Sequence, residues 1–307
     1  MSEYTRESLI RIAIIGGDLR YIYLANMLHE QGFLVTMYGN DPHLYPLSEQ
    51  DLLYFTKNIE TTNTLVAAVK DQSVIITPTP FSKDGENITM NKQYEPVPIS
   101  NFLSRLIHKP FVFGGAIKPS VIEFFHEHDI NYCDLMKIES VAIGNAIATA
   151  EGTILEAIQH SKTNLHQSRA LILGYGRCAK ILAHKLKGLD VYVTVAARKE
   201  EALAYAKASG YQTTSLQNET LNLSDYEFIF NTIPANLLTQ NVLKTARKDV
   251  TIIDIASAPG GVDFHAASTL GLNASLCLAL PGLYAPKASA SILLDAIKSK
   301  LTSHKIN

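Results

Sequence analysis

The 307-residue chain has only three cysteines, Cys133, Cys178 and Cys277, and no C-x-x-C pair. An odd count without paired spacing argues against a disulfide framework or a zinc site, and each thiol reads as a small buried hydrophobe. There is no excess of either charge: Lys and Arg total 27 and Asp and Glu 29, a formal net charge of -2. That balance gives no electrostatic footprint for nucleic acid or for an anionic membrane. No run approaches the roughly 20 apolar residues of a membrane span. Residues 1–11 carry charges where a secretory leader needs an apolar core. The expected compartment is the cytoplasm. The histidines do not gather into a ligand set; His126 and His128, two apart on a predicted helix, face different sides.

A composition of 47% hydrophobic and 18% charged residues excludes disorder, and the length suits about two domains. Short apolar runs alternate with amphipathic stretches along the chain. That pattern predicts an α/β class, with parallel strands joined by crossover helices. In the first half, strands are expected at residues 11–15, 34–38, 73–77, 111–113 and 130–133. A helix over 21–31 ends at Gly32, where glycine accepts positive φ. Residues 78–98, rich in Pro, Lys, Asp, Glu and Asn, read as a long exposed loop. A second series places strands at 170–173, 191–195, 227–231, 251–255 and 275–278, with helices over 178–187, 199–209 and 237–246. A helix over 151–161 links the two series. The final helix, 287–301, is expected to pack back on the first domain. The division is residues 1–147 for a first α/β domain, 148–290 for a nucleotide domain and 291–307 for the returning tail.

Gly174-Tyr-Gly176-Arg177-Cys178-Ala179 follows an apolar strand and opens a helix. This is G-x-G-x-x-A in the setting its mechanism requires. Gly174 permits the tight turn, Gly176 lets backbone approach a pyrophosphate at the helix N-terminus, and Ala179 allows close helix–strand packing. NAD sites place Asp or Glu about 20 residues further on, against the ribose 2′-hydroxyl. Here the next strand ends in Ala197-Arg198-Lys199. A guanidinium there can pair with a 2′-phosphate, so NADP is expected in preference to NAD. Solvated loop charges at Arg198 and Lys199, or a ribose contact from Glu200 or Glu201, remain open. Asn231-Thr232-Ile233-Pro234 follows the fourth strand of this series, where ligands of open α/β sheets lie. Asp254-Ile-Ala-Ser257-Ala-Pro259-Gly260-Gly261 follows the fifth.

Gly16-Gly17-Asp18-Leu19-Arg20 also follows a strand, but it lacks a full dinucleotide pattern. It puts Asp18 and Arg20 beside a helix start. Arg20 there could hold a substrate carboxylate with both arms of its fork; a helix-capping Asp with a surface Arg is the other reading. Phe113-Gly114-Gly115-Ala116 makes a similar turn, with Lys118 beyond it.

Six segments together resemble the A subunits of dipicolinate synthase: Gly16-Gly17-Asp18-x-Arg20, residues 148–153 (ATAEGT), Gly174-Tyr-Gly176-Arg177, residues 231–234 (NTIP), 254–264 (DIASAPGGVDF) and 280–287 (LPGLYAPK). They run in the family's order and span most of the chain. Ala148 and Ala288 depart from the family's usual Pro and Thr. The resemblance implies two Rossmann-like doubly wound parallel-sheet domains with an interdomain cleft. It implies NADP-dependent oxidation of a (hydroxy)tetrahydrodipicolinate to pyridine-2,6-dicarboxylate, in the mother cell of a sporulating bacterium, where the product accumulates in spores with calcium. The B subunit of dipicolinate synthase, a flavoprotein-like chain, is the expected partner. A homo-oligomer is left open.

For a dicarboxylate ring, the candidate substrate groups are Arg20, Thr149, Thr153 and Ser257, with Lys287 as a further cation. Thr149 to Glu151 are expected at the start of the linking helix, where anions are favoured. Glu151, Lys287 and Asp18 are the candidate acids and bases. A first-turn Glu151, a helix-flanking Lys287 and a helix-capping Asp263 are the structural readings of those residues. Two other functions stay in view. One is another NAD(P)-dependent dehydrogenase of the hydroxyacid or alanine dehydrogenase type, although residues 278–291 lack the histidine a hydroxyacid enzyme needs. The other is a non-catalytic NADP-binding regulatory subunit.

Overall fold

The computed structural model describes residues 10–217 and 221–304. The reading of charges at residues 1–9, and residues 305–307 of the expected tail, lie outside them. The chain forms two compact units, Met1–Gly144 with Ala285–Asn307, and Asn145–Tyr284.

In the first unit, six parallel strands lie in the spatial order Glu60–Thr61, Leu34–Tyr38, Arg11–Ile15, Val74–Ile76, Phe111–Gly114, Tyr132–Asp134. Numbered along the chain this is 3-2-1-4-5-6, the Rossmann order. Both faces of the sheet are buried, so its strands read as continuous apolar runs. Alternate residues nevertheless feed separate cores. Ile12, Ile14, Val74, Ile76, Phe111 and Phe113 enter one, and Ala13, Ile15, Ile75 and Val112 enter the other. The first of these cores also contains Ala290, Leu293, Leu294, Ile297 and Leu301 of the helix Pro286–Ser303, packed with Tyr21, Ile22 and Leu24 of the helix Leu19–Glu30. The last helix therefore completes the first unit.

The second unit repeats the order: Gln212–Ser215, Tyr192–Ala197, Arg169–Leu173, Phe228–Asn231, Thr251–Asp254, Asn273–Leu276. Every ladder is again parallel. Ala170, Ile172, Phe228 and Phe230 face one core, and Leu171, Leu173, Ile229 and Ile252 the other.

Four expectations change. The linking helix is Glu139–His160, 22 residues, not 151–161. It begins in the first unit and ends in the second, and the alanines at 142, 146, 148, 150 and 157 favour helix among its seven β-branched residues. By length and composition it is apolar enough to cross a membrane, and half of the relevant window is buried inside the protein. The segment 78–98 is not simply an exposed loop: Asn87–Ile88 pairs antiparallel with Val97–Pro98, and Phe81, Ile88 and Val97 are buried. The helix expected over 237–246 shrinks to Gln240–Leu243, and the strands Glu60–Thr61 and Gln212–Ser215 were not anticipated. Both are edge strands with little apolar content, and edges give a weak sequence signal.

Leu293 sits fully buried in the first unit's core. Leu293→Ala is expected to cost about 2–5 kcal/mol. In a chemical denaturation experiment that resolves the two units, the loss should fall on the first unit and spare the second.

Candidate functional site

Open α/β sheets bind ligands beyond the carboxyl ends of their strands, where the strand order reverses. Each unit has such a point, after its first and fourth strands. The two differ in what occupies the glycine turn there.

In the second unit, Gly174 has φ +98, and its N–H donates to Ala196 O at 2.8 Å. A side chain at 174 would strike the hydroxyl of Thr232, which itself donates to Leu173 O at 2.7 Å. Gly176 is different. A Cβ there would meet nothing within 4 Å. Gly176 caps the helix Arg177–Gly188 without a side-chain acceptor. An uncapped helix N-terminus of 12 residues with open space in front of it is an anion cradle. The residues present therefore fit a pyrophosphate. Ala179 is buried against the sheet. Cys178 is half-buried: burial pushes its thiol up, and a hydrogen bond with Thr149 and the charge of Arg177 oppose that. Thr149 is thus brought to the start of this helix.

The strand Tyr192–Ala197 ends without a carboxylate. Arg198 and Lys199 are exposed, and among the described residues neither side chain has a hydrogen-bond or ion-pair partner. Gln217 donates to Arg198 O at 2.7 Å, which fixes the backbone and leaves the guanidinium free. Glu200 and Glu201 lie in the first turn of the following helix.

After the fourth strand, Asn231 is fully buried. Its amide donates to Ile233 O at 3.0 Å and to Asp254 Oδ1 at 2.9 Å, and its oxygen accepts from Ile233 N at 3.1 Å. Asn231 thus builds the turn that presents Thr232, Ile233 and the exposed Pro234. Asp254, which sequence reasoning does not single out, is 0% exposed. It also accepts from Ala256 N at 2.9 Å and Gly261 N at 2.7 Å. A carboxylate ending the apolar strand Thr251–Asp254 must find donors in the turn that follows, and the Gly-Gly pair six residues on is its signal.

In the first unit the equivalent turn is closed. Gly17 N–H donates to Thr89 O at 3.1 Å, and a Cβ at Gly16 would lie 2.5 Å from that oxygen and 2.8 Å from Met90 Sδ. Asp18 caps the helix Leu19–Glu30 by accepting from Arg20 N at 3.1 Å. Arg20 is not a surface residue: it is 5% exposed. Its Nε and Nη2 donate to Asp18 Oδ1 and Oδ2 at 2.8 and 2.7 Å, and Nη2 also reaches Thr79 O at 2.8 Å. Burial would lower the guanidinium's pKa, and the bond and charge of Asp18 outweigh it, so the net shift is upward. The fork expected to clasp a substrate is held by Asp18, and Nη1 is what remains. Tyr21 OH donates to Thr79 Oγ1 at 3.2 Å, and burial pushes that phenol up to about 12. Asn40 and Tyr45 extend the network: Asn40 Nδ2 donates to Asp18 O at 2.9 Å and Tyr45 OH to Asn40 Oδ1 at 2.8 Å.

The remaining candidates are scattered in role. Thr149, Glu151 and Thr153 lie in the middle of the long helix, not at its start, so the helix-terminus argument for them fails. Thr153 is 0% exposed and donates to Thr149 O at 2.7 Å, so its hydroxyl serves the helix. Glu151 is exposed and pairs with Lys185 at 2.8 Å. Lys287 is exposed in the first turn of Pro286–Ser303, without a partner among the described residues. Ser257 is exposed beyond the fifth strand. Asp263 caps the helix Phe264–Thr269 through Ala266 N at 2.9 Å, its structural reading.

Comparison with known proteins follows the same division. Residues 11–136 match the N-terminal domain of the dipicolinate synthase A subunit, and residues 144–260 match the NAD-binding domain of D-isomer specific 2-hydroxyacid dehydrogenases. The dipicolinate synthase A subunit of Bacillus subtilis (strain 168) is 29% identical over 292 residues, 95% of this chain and 96% of that protein. The crystal structure of the A subunit from Bacillus halodurans superposes with a TM-score of 0.80 at 27% identity, covering 95% of this chain and 97% of that one. The crystal structure of its Bacillus subtilis counterpart gives 0.77 at 28% identity, covering 96% of each. The resemblance to dipicolinate synthase A subunits thus holds along nearly the whole chain, and its second unit is a nucleotide-binding domain of dehydrogenase type.

Serine is a better helix cap than glycine by a few tenths of a kcal/mol. Gly176→Ser is therefore expected to leave thermal stability unchanged or slightly raised. It should weaken nucleotide binding more than tenfold, as read by titration calorimetry. A variant that binds as well as the parent would show that no phosphate approaches this turn.

Proposed function

We propose that this chain is the dehydrogenase subunit of a dipicolinate synthase, oxidising a (hydroxy)tetrahydrodipicolinate to pyridine-2,6-dicarboxylate with a nicotinamide nucleotide. The reading is supported by a likeness that covers the first unit as well as the second. A nucleotide domain alone recurs among many dehydrogenases; the first unit, with its closed glycine turn, has its own family. The likeness also motivates a role in sporulation and a partner, the synthase's B subunit.

Gly174, Gly176 and the N–H groups of Arg177, Cys178 and Ala179 would hold the nucleotide's pyrophosphate. Arg198, with Lys199 beside it, would pair with the 2′-phosphate of NADP. Thr232, Ile233 and Pro234, on the turn that Asn231 holds, would border the other half of the nucleotide. The bound nucleotide would accept a hydride from the ring. For the hydroxylated precursor the balance is loss of water, one hydride and one proton, and a tetrahydro ring without the hydroxyl would have to give up a second hydride and proton. The chain must position the ring and receive the proton. In the first unit Lys287 is a free cation suited to a carboxylate; in the second Ser257 offers a hydroxyl, whereas the Thr149 hydroxyl already donates to Asn145 O at 2.8 Å. Arg20 contributes through Nη1 and through the rigid pair it forms with Asp18. Glu151 serves as a base only when released from Lys185, and Asp18 only while shared with Arg20. Aromatisation supplies much of the driving force, so positioning carries most of what the protein must do.

Two measurements test this. Arg198→Ala should weaken NADPH binding about tenfold or more while NADH binding changes little; equal weakening refutes the 2′-phosphate role. Purified protein given NADP and the condensation product of pyruvate and aspartate semialdehyde should generate the ultraviolet absorption of a pyridine dicarboxylate. If the signal is missing even with the B subunit added, the proposed reaction is wrong.

A further inference from the structure

Asp254 is a buried carboxylate without a counter-ion. It accepts three hydrogen bonds, from the Asn231 amide and from the N–H groups of Ala256 and Gly261, all of them neutral donors. Among the described residues it forms no ion pair. Such a group normally requires a cationic partner, because neutral dipoles compensate burial only in part. Cys277, just beyond the sixth strand, offers no counter-charge: burial first, then the charge and bond of Glu156 and the charge of Asp254, push its thiol up to about 12, so it stays neutral. Glu156 in turn accepts from Tyr284 OH at 2.5 Å, and its nearest basic group is the exposed His160, at 3.4 Å. At the carboxyl end of the fifth strand, Asp254 thus meets neutral donors alone.

A Rossmann domain binds a dinucleotide as two halves across the reversal of strand order. Arg198, after the second strand, marks the adenosine side. The nicotinamide half then falls over the later strands, the side where Asp254 lies. The two redox states of that ring differ by one positive charge. We propose that Asp254 is a specificity residue that makes the site prefer the oxidised, cationic nucleotide to the reduced, neutral one. This inference rests on the function proposed above, and it favours the oxidative direction: the site takes up the hydride acceptor and releases its reduced form.

The test is binding, not turnover. Dissociation constants are measured by calorimetry for NADP in its oxidised form, for NADPH, and for the same nucleotide lacking the nicotinamide ring (2′-phospho-ADP-ribose). The parent protein should bind the oxidised form at least tenfold more tightly than the reduced form. In Asp254→Asn that ratio should fall about tenfold while the ring-less nucleotide binds unchanged. Equal loss for all three nucleotides would assign Asp254 a purely structural role and overturn the proposal. A parent protein that binds NADPH as tightly as the oxidised form overturns it without any variant, so the test survives a variant that fails to fold. A parent that binds none of the three removes the nucleotide reading itself, and this inference with it.

Discussion

A backbone N–H at a strand-to-helix turn needs an acceptor, and the identity of that acceptor divides this molecule into two kinds of domain. Both units use the same strand order, and both put a glycine turn at the point of reversal. In the first, the carbonyl of Thr89 and the carboxylate of Asp18 are the acceptors, and Met90 fills the space. In the second, the space in front of Gly176 is empty and the helix start has no cap. One architecture is thus sealed by its own chain and the other left able to receive a phosphate. Everything assigned to the nucleotide follows from that difference, including the roles of Arg198 and Asn231.

The sealed turn also changes what Arg20 is. An arginine buried to this extent is stable only with its charge met, and Asp18 meets it with both oxygens. The pair, with Asn40, Tyr45 and Thr79 around it, is a rigid platform at the carboxyl end of the first sheet. Its contribution to any ligand is shape and a single remaining donor, which is a narrower role than a free guanidinium has.

The central strands are legible in the sequence because a sheet buried on both faces needs unbroken apolar runs. Ile12–Ile15, Leu171–Leu173 and Phe228–Phe230 have no other plausible use. The nucleotide turn is legible for the same reason that it works: two glycines between a strand and a helix carry a specific backbone demand. Less is readable where long-range contacts decide. The helix Glu139–His160 announces itself only in its second half, because its first half is rich in alanine and glycine and shows no polar face. Thr153 looks like a ligand group within its motif, yet its surroundings enclose it. Asp254 is marked only by the Gly-Gly pair that follows it, since its burial and its third donor depend on Asn231, 23 residues away. The partners of Gly16 and Gly17 come from Thr89 and Met90, more than 70 residues away, and no local pattern announces them.

The helix Pro286–Ser303 has one more consequence, for biosynthesis. The second unit is a continuous stretch, so it is able to fold as it leaves the ribosome. The first unit is interrupted: its sheet and the helix Leu19–Glu30 emerge early, but the segment that covers Tyr21, Ile22 and Leu24 is translated after the whole of the second unit. At about 5–20 residues per second, that face waits at least several seconds for its cover. During that interval the nascent chain presents an apolar surface to chaperones and to neighbouring chains, and the half made first is the half finished last.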